Sequence, residues 1–236
     1  MVEENYQSKR IQHIVDTCPK TKEIFEIGCD HGYVTMSLLL TGKTKNVVAT
    51  DISIQAINKA ILNCQKKNLL PYISFRQGDG FRPYTKYDRA TVAVMSGLGG
   101  TEIVKMLANR PSQITELIIN PMTDDYKVRE WLVKNKFKIT KDFMFEDNGF
   151  YYVVIHAEKL NFAEKFTIEP LNMYYGKDNF TEEFKEDFIT YLKTEESKII
   201  SLFRKIGEIS KGLNEKYQLV TEALTRLGVD LLPVEE

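Results

Sequence analysis

What most restricts this chain is a repeated texture. Five short apolar runs, EIFEIG from residue 23, VVATDI from 47, ISFRQGD from 73, TVAVMS from 91 and ELIINP from 116, read as buried strands. Between them lie stretches with helical spacing at 34–41, 53–67, 100–109 and 124–135. Parallel strands need such crossovers, so the alternation predicts an open, mostly parallel α/β sheet. A leading helix is expected over 6–18, where Ile11, Ile14 and Val15 share a face and Pro19 stops the pattern.

The sheet is expected to close differently. FKITKDFMFEDNGFYYVVIHAEK holds two neighbouring strands, about 137–146 and 150–158, joined through Asp147-Asn148-Gly149, a strong hairpin signal. Such a hairpin is an unusual end for a dehydrogenase sheet and the usual end of a class I methyltransferase sheet. Beyond residue 160 the texture becomes helical. Phe180, Phe184, Phe188 and Leu192, continued by Ile199, Phe203 and Ile206, form one stripe; Leu213, Tyr217, Val220 and Leu224 form another. The division expected is therefore 1–160 for a catalytic domain and 161–236 for an antiparallel helical hairpin of about 180–208 and 213–227. It either packs on a core or projects as a coiled coil.

Charge follows that division. Residues 1–160 carry 22 Lys+Arg against 18 Asp+Glu, and 161–236 carry 10 against 15, so the net −1 conceals a basic part and an acidic one. A polyanionic substrate would rest mainly on the first part. No apolar run is long enough for a membrane span, and Met-Val-Glu-Glu-Asn is too acidic to open a signal peptide, so no membrane partner and a cytoplasmic location are expected. Cys18, Cys29 and Cys64 lie far apart without a C-x-x-C, and the three histidines have no ligand spacing, so no disulfide frame and no metal are expected.

Chemistry-bearing residues fall at the strand ends. Glu26-Ile27-Gly28 follows a strand and precedes a helix, as a cofactor turn requires, although a structural loop accounts for G-x-x-x-G as well. Asp51 ends the second run, where an acid can accept both hydroxyls of an adenosine ribose or merely cap a helix. The turn lacks G-x-G-x-x-G and puts Asp30 where a pyrophosphate would sit. An anion there repels a dinucleotide and tolerates a sulfonium, which favours S-adenosylmethionine over NAD. Asp79, between Gly78 and Gly80, can accept from the cofactor's amino group. The fourth run ends in Ser96-Gly97-Leu98-Gly99-Gly100, open enough for a planar base or a methyl group. Asn120, at the end of the fifth, offers a donor and an acceptor to a base edge.

With these residues placed, the chain resembles the bacterial tRNA adenine-N1 methyltransferases acting on position 22 of the D-arm. The likeness rests on SKR at 8–10, EIGCDHGYV at 26–34, GDG at 78–80, SGLGG at 96–100, LIINP at 117–121, REWL at 129–132 and YYV in the hairpin. The chain departs from the family in Asn120-Pro121-Met122 (usually Q-P-N), Val34-Thr35 (Leu-Pro) and Gly32 (Ala). The resemblance implies a class I Rossmann-like methyltransferase fold, S-adenosylmethionine as methyl donor and tRNA as partner, in a chain taken to be a monomer. Glu26, Gly28, Cys29, Asp51, Ile52, Asp79, Gly80, Ser96 and Gly97 then bind the cofactor.

Adenine N1 has an in-plane lone pair and needs no base before it attacks, so alignment is the main task. Asp30 is the candidate catalytic carboxylate, facing the charge that develops on the ring and accepting the amino proton. Tyr33 can stack on a base or pack as a core aromatic. His31 can bond the local backbone. Lys9, Arg10, Arg82, Lys86 and Asn120 are candidates for substrate contact, or, for the cations, ordinary solvated surface. Two alternatives stay open: methylation of another acceptor, such as a ribosomal RNA base, and a non-catalytic helical-hairpin interaction protein.

Overall fold

A computed structural model of the chain describes residues 8–161, 166–205 and 210–232. The expected strands form as β1 (Glu23–Ile27), β2 (Asn46–Asp51), β3 (Ile73–Gln77), β4 (Val92–Leu98) and β5 (Glu116–Pro121), followed by β6 (Phe137–Asp147) and β7 (Phe150–Lys159). They make one seven-stranded sheet in the order β3-β2-β1-β4-β5-β7-β6. The first five strands are parallel and β7 runs antiparallel to β5. Ile24, Phe25, Val47, Ala49, Val94, Met95, Ile118 and Ile119 are buried, which is why these runs do not alternate with polar residues.

Helix α1 (Lys9–Thr17) leads into β1, and four helices lie between strands: α2 (Tyr33–Leu40), α3 (Ile54–Lys66), α4 (Gly100–Leu107) and α5 (Asp125–Lys134). Serine hydroxyls start two of them. Ser8 Oγ accepts from the Ile11 N–H at 3.3 Å and Ser53 Oγ from the Ala56 N–H at 3.2 Å. Strand order reverses between β1 and β4, so the carboxyl ends of these strands open a crevice.

At the other flank, Arg129 of α5 is fully buried. Its Nε and Nη2 donate to Asp142 of β6 at 2.7 and 3.0 Å, and Nη1 donates to Asp125. Burial alone would lower the Arg129 pKa; the two carboxylates outweigh it and hold the guanidinium charged.

The chain divides into two compact units, Met1–Asp142 with Tyr152–Ile168, and Phe143–Tyr151 with Glu169–Glu236. The hairpin tip thus belongs with the C-terminal helices rather than with a domain ending at 160. The Phe143 ring stacks on Phe184 at 4.2 Å, Asn179 Oδ1 accepts from the Met144 N–H at 2.6 Å, and Asp187 Oδ2 accepts from the Glu146 N–H at 3.0 Å. Partners 35 or more residues apart leave no periodic trace in the sequence.

The second unit contains α6 (Pro170–Tyr175), α7 (Lys185–Lys205) and α8 (Lys211–Arg226). Phe188, Leu192, Ile199, Val220 and Leu224 are its buried stripe residues. Phe203 meets Tyr217 edge-on at 5.2 Å, and Glu196 Oε1 accepts from the Leu232 N–H at 3.1 Å, so α7 and α8 run antiparallel. Phe180 and Phe184 precede α7, and Ile206 lies outside the described residues. Among the described residues no helix is long and apolar enough to cross a membrane.

Candidate active site

A cleft of about 740 Å³ opens at the carboxyl edge of β1, β2 and β4. After β1 the chain turns through Gly28 at φ 77°, and the N–H groups of Gly28 and Cys29 both donate to the Thr50 carbonyl at 2.9 Å. Asp30 follows at φ 45°, a left-handed conformation that Asp and Asn tolerate better than most residues. Its N–H donates to Asp51 Oδ2 at 3.1 Å, while Asp51 Oδ1 accepts from the Ser53 N–H at 2.8 Å. Asp51 therefore fixes the β1–α2 and β2–α3 turns together and still has lone pairs for a ligand. Gly32 starts α2 at φ 75°, and a Cβ there would lie 3.1 Å from Ala60 Cβ; its smallness lets α2 approach α3.

Glu26 lines the cleft from below at 1% exposure and accepts from the Thr35 hydroxyl. Burial, reinforced by the charge of Asp51 and opposed by the Thr35 bond, raises its carboxyl from 4.5 to about 7. Opposite, β4 bulges between Ser96 and Leu98, and Gly97 takes φ 76°. A Cβ on Gly28 would lie 3.5 Å from the Ser96 carbonyl, so the β1 and β4 turns approach at contact distance.

Asp30 is 73% exposed, with Oδ1 3.6 Å from His31 Nε2. His31 stacks on Tyr33 at 5.5 Å, and Tyr33 packs against Met36, Cys64 and Leu69, so one ring serves the core and the cleft wall. Burial pushes the Cys64 thiol up to about 12 and raises those of Cys18 and Cys29 as well; none is poised as a thiolate nucleophile.

Glu26, Gly28, Cys29, Asp30, Tyr33, Asp51, Ser96, Gly97 and Arg10 all line this cleft. Ile52, Asp79, Gly80, Lys9 and Arg82 do not. Gly80 at φ 56° serves packing, since a Cβ there would press on Met106 at 2.9 Å. Asn120 departs most from its sequence reading. It is fully buried, with Oδ1 accepting from Arg10 Nε at 3.0 Å and Nδ2 donating to the Val153 carbonyl at 2.7 Å. Its amide is committed within the protein and not turned to a base edge.

Sequence reading missed Lys59, Gln55 and Ser53, which line the α3 side, and Met122 beside β5. Only the capping serine carried a local signal. At the opposite, amino-terminal edge of the sheet, Glu116, His156 and Glu158 bring three ligand atoms within 4.8 Å of one another, a grouping that histidine spacing alone does not reveal.

The donor set suits S-adenosylmethionine: a glycine cradle that a Cβ would narrow, a preorganised carboxylate for ribose hydroxyls, and a second carboxyl whose charge a cation would stabilise. The model of the family described as Methyltransferase domain matches residues 7–155. The tRNA (adenine(22)-N(1))-methyltransferase of Bacillus subtilis is 29% identical over 154 residues, 64% of each chain. A Mycoplasma genitalium relative whose name proposes tRNA methylation is 30% identical over 149 residues, 63% of this chain and 67% of that one. The alignments thus span about two thirds of the relatives' length.

Among solved structures, M. capricolum TrmK in complex with S-adenosyl-homocysteine matches with a TM-score of 0.78 at 24% identity over 94% of this chain and 96% of that one. A Streptococcus pneumoniae protein in complex with S-adenosyl-L-methionine matches at 0.82 and 21% identity over 92% and 99%. At these identities the structures establish the fold. The chain belongs to the methyltransferase domain family, and the relatives it resembles carry the names of bacterial tRNA methyltransferases.

Proposed function

We propose that this protein transfers the methyl group of S-adenosylmethionine to N1 of adenine 22 in the D-arm of tRNA, giving 1-methyladenosine. The bound cofactor supplies an electrophilic methyl group on a sulfonium. Glu26 faces the cationic end of the cofactor and Asp51 its ribose, with Gly28, Cys29, Ser96 and Gly97 giving the backbone room. The Gly78 N–H donates to the Asp51 carbonyl at 2.9 Å, which ties the Asp79 turn to Asp51 and supports placing Ile52, Asp79 and Gly80 at the adenine end.

One observation carries the reading: a hydrogen bond from the Asp30 N–H to Asp51 Oδ2 joins the cofactor carboxylate to an exposed carboxylate in the same cleft. Asp30 then lies beside the acceptor base, where it stabilises the positive charge that transfer leaves on the adenine ring and receives the amino proton. Tyr33, backed by core packing, offers a face to the extruded base. Because N1 attacks with its own lone pair, this chemistry needs no metal.

Lys9 and Arg82 give the surface phosphate contacts, and the C-terminal unit assists tRNA binding in a cytoplasmic monomer. The test is mass spectrometry of tRNA fragments after incubation with labelled cofactor. The label is expected on N1 of adenine 22; incorporation into ribosomal RNA alone, or none at all, overturns the assignment.

A further inference from the structure

We propose that Arg10, held by Asn120 and Tyr152, clamps a phosphodiester flanking the nucleotide that is methylated, with Asn120 as the positioning residue of the clamp. The inference rests on the methyl-transfer reading above and assigns its substrate backbone. Two elements hold the guanidinium and a third leaves room for it. From β5, Asn120 accepts from Nε at 3.0 Å, and its amide cannot turn round because its NH2 must donate to the Val153 carbonyl at 2.7 Å. From β7, the Tyr152 ring lies 5.5 Å from the guanidinium carbon. From β4, Gly97 brings no side chain; a Cβ there would lie 3.4 Å from Nη2. Arg10 therefore reaches the β4 side of the cleft through space that a larger residue at 97 would narrow.

The charge of the reaction decides what such a cation can hold. Methylation at N1 makes the adenine ring positive, so a guanidinium set against the ring would oppose transfer, whereas one set on the adjoining phosphate would not. A rigid planar fork also matches two phosphate oxygens, which a lysine ammonium does not. Asp30 and Arg10 then divide the work: the carboxylate meets the base and the guanidinium meets its backbone.

The experiment uses full-length enzyme and tRNA carrying one uncharged methylphosphonate at either phosphate flanking adenine 22. Replacing that phosphate should lower wild-type kcat/KM about tenfold or more, and Arg10→Ala should lose a similar factor on unmodified tRNA. On the modified tRNA Arg10→Ala should lose nothing further. Asn120→Leu should raise KM for tRNA with kcat nearly kept, and Arg10→Lys should not restore the wild-type value. In binding assays, which need no turnover, Arg10→Ala should reduce the slope of log Kd against log salt by about one phosphate contact.

Equal losses from the methylphosphonate in wild type and Arg10→Ala, or an unchanged salt slope, overturn the clamp. Failure of the wild-type enzyme to methylate unmodified tRNA is a different result and overturns the methyl-transfer reading instead. The salt titration still decides the clamp in that case.

Discussion

Asp30 occupies a left-handed backbone position at φ 45° and gives its N–H to Asp51. Asp30→Asn keeps that conformation and bond while removing the charge, so it isolates the carboxylate. Turnover is expected to fall roughly a hundredfold or more, with cofactor affinity by calorimetry changed by less than about threefold; near-normal turnover removes Asp30 from the chemistry. Glu26 carries a pH signature. Its folded pKa of about 7 exceeds the ordinary 4.5, so between these values the folded protein holds a proton that the unfolded chain has released. The group favours folding most at acid pH, and that advantage is lost as pH rises toward 7, beyond which the buried charge costs about 3 kcal/mol. Glu26→Gln should raise the melting temperature at about pH 8 and change it little at about pH 5. Because a cationic ligand favours the charged carboxyl, cofactor affinity should increase from about pH 6 to 8 in wild type and vary less in Glu26→Gln.

Elements meet where glycine or a buried ion pair permits it. Gly100 opens α4, and a Cβ there would lie 2.4 Å from the Asp124 carbonyl oxygen, whereas a Cβ on Gly212 in α8 meets nothing within 4 Å. Gly100→Ala should therefore destabilise by about 3 kcal/mol or more, and Gly212→Ala should stabilise by about 0.5–1 kcal/mol, both read by denaturant unfolding. Asp142→Ala leaves Arg129 partly unpaired in the interior and should cost about 3–5 kcal/mol. These contacts mark the limit of what the chain discloses by itself. β1 to β5 and their helices are local apolar patterns and were legible to within a few residues, as was the Asn148-Gly149 turn. The acids at the strand ends were legible because a parallel sheet gathers them at one edge. Arg10 and Asn120 lie 110 residues apart, and Arg129 and Asp142 belong to different elements, so no spacing announces either pair. α6 offered only Pro170 at its first turn, too little to set it apart from a loop.

On the scale of the whole molecule, charge and the proposed role of the C-terminal unit pull in opposite directions. Residues 161–236 hold 10 cations against 15 anions, while the preceding 160 hold 22 against 18. Long-range electrostatics alone would have the C-terminal part repel a polyanion, and its loss would strengthen tRNA binding, most of all at low salt. A unit that touches tRNA must overcome that repulsion with local contacts. Removing it then weakens binding even though net negative charge is lost. Deletion of residues 169–236 separates the two, provided that Phe143 and Phe145, one of which loses the Phe184 ring, are replaced by polar residues so that the bared hairpin tip does not aggregate. Cofactor affinity should stay within about threefold of wild type, because every residue lining the cleft lies in the first unit. The affinity for tRNA should fall by about tenfold or more at physiological salt. Equal or tighter tRNA binding by the truncated protein would instead mean that the helical unit is a structural appendage, and that the first unit captures tRNA alone.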